Sequence, residues 1–282
     1  MKKACVNLAV AAVVFIVYLT GCTRNEPPVI DRFVTDPAAD TLVTAGDTVR
    51  IICEASDPDA DSLLYEFEAD AGTFAESQDT VAVLWIAPDH SGIFEIICTV
   101  SDGDSLYEVT DTLAIEVQNY FPMAAGNWWY YEGQLLGTIA TLRTEVHSRE
   151  ELAGGKVKWH IERFFTWGEI QLEDALVYYA VFDDSIWTYD PGLKKEYLFL
   201  DLPLWVGKSW DTGEGGTGTV AEIREYGTSV GGFENSARID LNLGSDETDR
   251  TFWLAPDVGI IVTEYRVNQL IFDLDLVEYE VK

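Results

Sequence analysis

Apolar and polar residues alternate along much of the chain, and this period of two most constrains what it can fold into. In residues 48–55, Val49, Ile51, Cys53 and Ala55 share one side, while Thr48, Arg50 and Glu54 share the other. Leu63, Tyr65 and Phe67 repeat the pattern against Leu64, Glu66 and Glu68. Phe94, Ile96, Cys98 and Val100 do so again. Successive side chains of a strand point to opposite faces, so the alternation predicts strands covered on one side, as in a sandwich. Beyond residue 118 no stretch carries a helical period. The expected fold class is all-β.

Charge removes whole classes of partner. The 282 residues carry 49 Asp and Glu against 18 Lys and Arg, a formal net charge of −31. Phosphate neutralisation needs clustered cations, so nucleic acid is excluded as a partner, and anionic membrane surfaces are disfavoured electrostatically. Disorder does not explain the charge, because 48% of residues are apolar and 12% aromatic. Three His and two Met leave few groups for catalysis or soft metals.

The first residues read as an address. Lys2 and Lys3 precede a segment, residues 4–18, that is apolar apart from Asn7. It is shorter than the roughly 20 residues of a spanning helix and suits a signal sequence. It ends in Leu19-Thr20-Gly21-Cys22, which resembles a bacterial lipobox. That resemblance implies a signal peptide over residues 1–21, lipidation at Cys22, a tether over residues 22–28 and anchorage to the membrane through lipid. Several acyl chains hold stably where one holds marginally. Thr23 follows the Cys where inner-membrane retention signals have Asp, so the expected location is the bacterial cell envelope, with the outer membrane favoured.

Residues 29–118 and 119–282 differ in character. In the first, Ala55-Ser56-Asp57-Pro58-Asp59-Ala60-Asp61, Trp85-Ile86-Ala87-Pro88 and Thr99-Val100-Ser101-Asp102-Gly103 resemble an immunoglobulin-like or PKD-like module. The resemblance implies a spacer or display platform and names no ligand. It places Cys53 and Cys98 on strands facing each other across the core, so a disulfide is expected in an oxidising envelope. It also brings the loops bearing Asp57, Asp59, Asp61, Asp102 and Asp104 to one pole. Two readings of these carboxylates compete: a calcium site with oxygen ligands, and turns in which Asp bonds its own backbone. The sandwich geometry puts that pole far from the second domain.

Eight of the nine Trp lie in residues 119–282. Strands are expected near residues 128–131, 140–146, 157–165, 175–182, 186–189, 196–200, 219–225, 237–243, 251–254, 259–267 and 270–279, giving a larger antiparallel sheet or partial barrel. Phe121-Pro122-Met123-Ala124-Ala125-Gly126-Asn127-Trp128-Trp129 echoes Leu202-Pro203-Leu204-Trp205-Val206-Gly207-Lys208-Ser209-Trp210, 81 residues on. Together with Trp253-Leu254-Ala255-Pro256-Asp257-Val258-Gly259 these segments resemble an uncharacterised β-rich domain of envelope lipoproteins, which implies a location and no activity. Charge is denser in the smaller domain, with 20 acidic and 2 basic residues in 28–118 against 28 and 13 in 119–282.

Motifs for chemistry are sparse. Gly213-Glu214-Gly215-Gly216-Thr217-Gly218 spells a dinucleotide fingerprint, but a strand-like stretch follows where a helix must, so it reads as a hairpin loop and no cofactor is expected. His90, His147 and His160 are scattered, and acidic pairs such as Asp183-Asp184 and Glu150-Glu151 arise readily among 49 acids. The chain is therefore read as no enzyme. Its aromatics, Trp128, Trp129, Trp205 and Trp210 above all, serve either a β core or a ligand surface. The expected function is a binding or display module for a glycan, protein or apolar ligand. A carrier holding a lipid in a partial barrel is the rival, and a glycan-active enzyme comes third.

Overall fold

The computed structural model describes residues 25–37, 41–75, 80–103, 107–190, 194–244, 249–267 and 270–282. Cys22 and Asp104 lie outside the described residues. Eight strands make the first domain: β1 (Val29–Asp36), β2 (Leu42–Thr44), β3 (Thr48–Ser56), β4 (Leu64–Ala69), β5 (Thr73–Phe74), β6 (Ala82–Ile86), β7 (Gly92–Ser101) and β8 (Glu108–Gln118). They form two four-stranded sheets, ordered β1-β3-β6-β5 and β2-β8-β7-β4. All ladders are antiparallel except β2 on β8. This is an immunoglobulin-like sandwich.

The alternating residues fill its centre. Ile51, Cys53, Phe67, Trp85, Ile96, Cys98, Val100 and Ile115 are buried between the sheets. The indole N–H of Trp85 donates to Ala71 O at 3.0 Å, which satisfies the polar end of a buried ring.

The second domain is one 12-stranded sheet that curls into a nearly closed barrel. Its strands are β9 (Trp128–Leu135), β10 (Thr138–Glu151), β11 (Val157–Trp167), β12 (Ile170–Phe182), β13 (Ser185–Asp190), β14 (Lys195–Asp201), β15 (Ser209–Gly213), β16 (Gly216–Thr228), β17 (Gly231–Asn242), β18 (Arg250–Ala255), β19 (Gly259–Val267) and β20 (Leu270–Glu280). The spatial order β14-β13-β12-β11-β10-β9-β20-β19-β18-β17-β16-β15 is two six-stranded meanders joined where β9 pairs with β20. Strand β15, short and carrying Asp211 and Gly213, is the one that the alternation pattern missed.

Side chains fill the barrel. Tyr131, Leu142, Phe165, Leu274 and Leu276 belong to one buried cluster, and Phe199, Leu200, Ile239, Phe252 and Leu254 to another. Phe199 stacks on Phe252 with ring centroids 4.9 Å apart and planes at 12°. Burial pushes the phenols of Tyr131 and Tyr179 above their ordinary range.

The echoed segments fold alike. In each, a glycine with positive φ sits third in a tight turn: Gly126 at +87° and Gly207 at +88°. Asn127 N donates to Ala124 O at 3.0 Å, and Lys208 N to Trp205 O at 3.0 Å. Gly126 N donates to Val146 O and Gly207 N to Val220 O, and both valine amides return a bond to residues 127 and 208. The residue after each glycine is buried and polar. Asn127 donates to Pro122 O, and Lys208 Nζ to Leu202 O and Pro203 O.

Candidate functional site

The two poles of the sandwich do different work. At one, the segments bearing Asp59 and Asp102 meet the chain entering from residue 25. Asp57 Oδ1 accepts the backbone N–H of Asp59 and of Asp61, Asp59 accepts that of Glu26, and Asp102 accepts the Asn25 amide. Among the described residues no three His, Cys, Asp or Glu are placed to hold a metal. The turn reading accounts for Asp57 Oδ1, whose N–H partners are local, and leaves Asp57 Oδ2 buried without a hydrogen-bond partner.

The opposite pole grips the barrel. Thr44 Oγ1 donates to Asp184 at 2.6 Å. The Gln118 amide makes a reciprocal pair with Leu204, accepting its N–H at 3.0 Å and donating to its carbonyl at 3.3 Å. Ser91 N donates to both oxygens of Asp257 at 2.9 and 3.1 Å, while Ser91 Oγ accepts Asn119 N at 2.8 Å. Asp257 N closes the loop on Asn119 O at 2.7 Å. Backbone groups fix most of these contacts, which is why no sequence motif marked them.

Cys53 and Cys98 are fully buried and face each other from opposite sheets, as the alternation required. Both are free thiols here, in hydrogen-bond contact with each other. The contact draws the Cys53 thiol down, and together with burial it holds the Cys98 thiol up.

The four tryptophans divide. Trp129 and Trp210 are core residues, with N–H groups donated to Val258 O at 2.6 Å and Leu198 O at 3.3 Å. Trp129 is thus packed in the core, and Trp210, 6% exposed, also borders an open recess. Trp128, next to Trp129 in β9, points to the other face, as consecutive strand residues must. Trp128 donates to Glu280 at 3.1 Å and carries the Arg143 guanidinium 5.7 Å from its ring centre. Trp205 is 49% exposed, with Lys208 Nζ 4.6 Å from its ring.

Such capping recurs over the outer surface. Arg149 lies over Trp159, Lys158 over Tyr178 at 4.0 Å, and Arg224 over both Tyr226 and Trp253. A cation on a ring contributes about 0.5–1 kcal/mol at an exposed site. In an acidic domain this spends scarce bases on ring faces that a sugar would otherwise stack on. His147 pairs with Glu162 at 2.7 Å and His160 with Glu150 at 3.3 Å, both exposed on the sheet. The glycine-rich segment is a hairpin between β15 and β16, bordering an open recess of 410 Å³ beside Trp210 and Asp211.

Lys208 stands apart among the bases. Burial lowers its pKa, and Asp201 at 3.5 Å works against that shift.

No protein-family model matches the chain, and no curated protein matches it. Among solved structures, the first two cadherin repeats of human protocadherin-24 share 14% identity, covering 56% of this chain and 99% of that one, at a TM-score of 0.29. An auxiliary nutrient binding protein from Bacteroides ovatus shares 11% identity over 91% of each chain at 0.21. A protein of unknown function from Bacteroides thetaiotaomicron shares 9% over 90% of this chain and 99% of that one at 0.20. The chain is an all-β protein pairing an immunoglobulin-like sandwich with a 12-stranded barrel, and these likenesses are too distant to assign it to a family.

Proposed function

We propose that the chain is a lipid-anchored, non-enzymatic binding and display module of the bacterial envelope, in which the sandwich is the spacer and the barrel carries the partner surface. The observation that carries this reading is the polarity of the sandwich. Residues 25 and 26 contact one pole, through Asp102 and Asp59, and the barrel is held at the other, through Thr44, Ser91 and Gln118. An anchor at Cys22 then lies next to the near pole and the barrel stands off beyond the far one. The filled interior favours display over carriage, since Phe199, Phe252, Phe165 and Phe272 occupy the space an acyl chain would take.

Expressed with its leader in a bacterial host, the mature protein is expected to begin at an acylated Cys22 and to sediment with membranes. Cys22→Ala is expected to release it. A mature chain retaining Gly21, or an unmodified cysteine, overturns the anchor. Recovery of a stoichiometric lipid from inside the purified barrel overturns display in favour of the carrier.

A further inference from the structure

The meander sends the β9–β10 turn and the start of β20 to the end of the barrel away from the sandwich, because Asp184 and Asp257, which grip the sandwich, occupy the turns at the other end. At that far end Leu136 forms half of a two-residue hairpin turn with Gly137. Its φ is +53°, a conformation that suits Asn, Asp or Gly and is costly for leucine. Its side chain is 70% exposed. Leucine here carries a backbone penalty and returns little packing, so its apolar side chain is best explained by something outside the chain.

Its neighbours share the character. Ile139, 56% exposed, is two residues along β10 and opposite Gln134. On the other side β20 pairs with β9 at Asp275 and Glu132, the last pair of that ladder, and continuing its register by four residues would bring Ile271, 54% exposed, level with Leu136. Below this aliphatic crest the outward positions turn acidic, with Glu132 beside Asp275 and Asp273 two residues away on the same face. Burial and the nearby Asp273 carboxylate raise the Asp275 pKa, in keeping with carboxylates crowded at the surface.

We propose that the crest Leu136–Ile139–Ile271 and the ledge Glu132–Asp273–Asp275 form one docking surface for a partner protein that presents aliphatic side chains bordered by Lys or Arg. This rests on the binding-module reading and names the chemistry of its partner. Charge complementarity selects the occupant. The ledge and the surplus of 28 acids over 13 bases in this domain repel a second copy and any anionic surface, and attract a cationic one.

The test uses the purified mature protein and a labelled synthetic peptide of alternating Leu and Lys, read by fluorescence anisotropy at physiological ionic strength. Matched Ser/Lys and Leu/Glu peptides and neutral phosphatidylcholine vesicles are the controls. The Leu/Lys peptide is expected to bind and the controls to bind at least tenfold more weakly. Leu136→Asn is expected to weaken binding roughly tenfold, the loss for one buried aliphatic side chain. The same change leaves the melting temperature equal or higher, because Asn tolerates the turn. Asp273→Asn with Asp275→Asn is expected to weaken binding several-fold and to flatten its salt dependence. Equal binding of the Ser/Lys peptide, unchanged binding by Leu136→Asn, a lowered melting temperature in that variant, or vesicle binding through the crest each overturn the proposal. None of these outcomes bears on lipidation at Cys22, so the two readings fail separately.

Discussion

The barrel closes on itself twice, once with backbone and once with side chains. Where the two meanders first meet, β9 and β20 pair in a backbone ladder from Glu132 and Asp275 to Trp128 and Glu280, with one irregularity between Leu276 and Glu278. Where they meet again, β14 and β15 share no ladder. Trp210 Nε1 reaches across to Leu198 O at 3.3 Å, and Lys195 Nζ to Gly213 O at 3.3 Å, with Glu214 on the same ammonium at 3.1 Å. The strands entering these two joints, β9 and β15, follow turns of matching geometry, one ending in Trp129 and the other in Trp210. Similar local sequence thus leads to different closures, because each tryptophan finds a different carbonyl. Trp129 reaches from the first meander to Val258 in the β18–β19 turn of the second, over a joint that β9 and β20 also close with backbone bonds. Trp210 spans the seam and covers an edge that would otherwise invite other chains.

The strongest way to break this comparison is to remove each tryptophan. Trp129→Ala and Trp210→Ala are each expected to cost about 3–5 kcal/mol. Hydrogen exchange separates them. Trp210→Ala should expose the amides of β14 and β15 selectively, whereas Trp129→Ala should lower protection throughout its cluster and leave the β9–β20 ladder the last part of it to open. Identical exchange patterns would mean that the seam is no weaker than the ladder.

Oxidation supplies a contrast from outside the barrel. Two-electron oxidation of Cys53 and Cys98 by diamide, which takes up both thiol protons, is expected to form a disulfide and raise the sandwich transition. Closing a loop of this length contributes roughly 3–5 kcal/mol. The barrel transition should move far less, because its clusters share no residue with the sandwich core. A bridge that forms only after unfolding would show that the thiol contact is not productive.

Glycine substitution sharpens the likeness of the two turns. Gly126→Ala and Gly207→Ala are each expected to cost about 1–2 kcal/mol through the positive φ alone. A methyl at Gly207 meets nothing within 4 Å, and one at Gly126 meets only the flexible end of Lys282. A large difference between the two in urea titrations would deny the equivalence.

The smallest effect separates the residues that follow those glycines. Burial holds the folded-state pKa of Lys208 below its unfolded value, so between those two values the unfolded state binds more protons and stability rises with pH. Compared with Lys208→Met, the native protein is expected to gain stability as pH climbs toward about 10.5. Asn127→Ala should show no such trend. A constant gap between Lys208→Met and the native protein would refute it.

Much of the fold was legible because period two is a local signal. It placed Cys53, Cys98, Ile96 and Val100 inward, and it required Trp128 and Trp129 to part. Strand β15 escaped because Ser209, Asp211 and Gly213 look like a turn, and only β16 makes a strand of them. The aspartates were legible as turn formers or ligands, and Asp57 Oδ1 does accept the N–H groups of Asp59 and Asp61. Closure at Trp210 and the grip of Asp257 on Ser91 were not readable, since each joins positions remote in sequence through backbone atoms that carry no residue identity. Leu136 offered a faint signal: a leucine before glycine between two strands, where asparagine is commoner.

The one parallel ladder among the described residues, β2 on β8, has a mechanical consequence. It pairs Leu42 with Glu116, Val43 with Val117 and Thr44 with Gln118. On the proposed function, tension between the anchor and a bound partner would enter the sandwich near residue 25 and leave beyond Gln118. Along that path β2 is pulled from its start and β8 from its end. The hydrogen bonds between them lie across the load and are sheared together rather than peeled in turn. Thr44 and Gln118, the last pair of that ladder, are also the residues that bind Asp184 and Leu204 of the barrel. The strands that would bear that load are thus the ones fastened to the barrel, as the proposed tether requires.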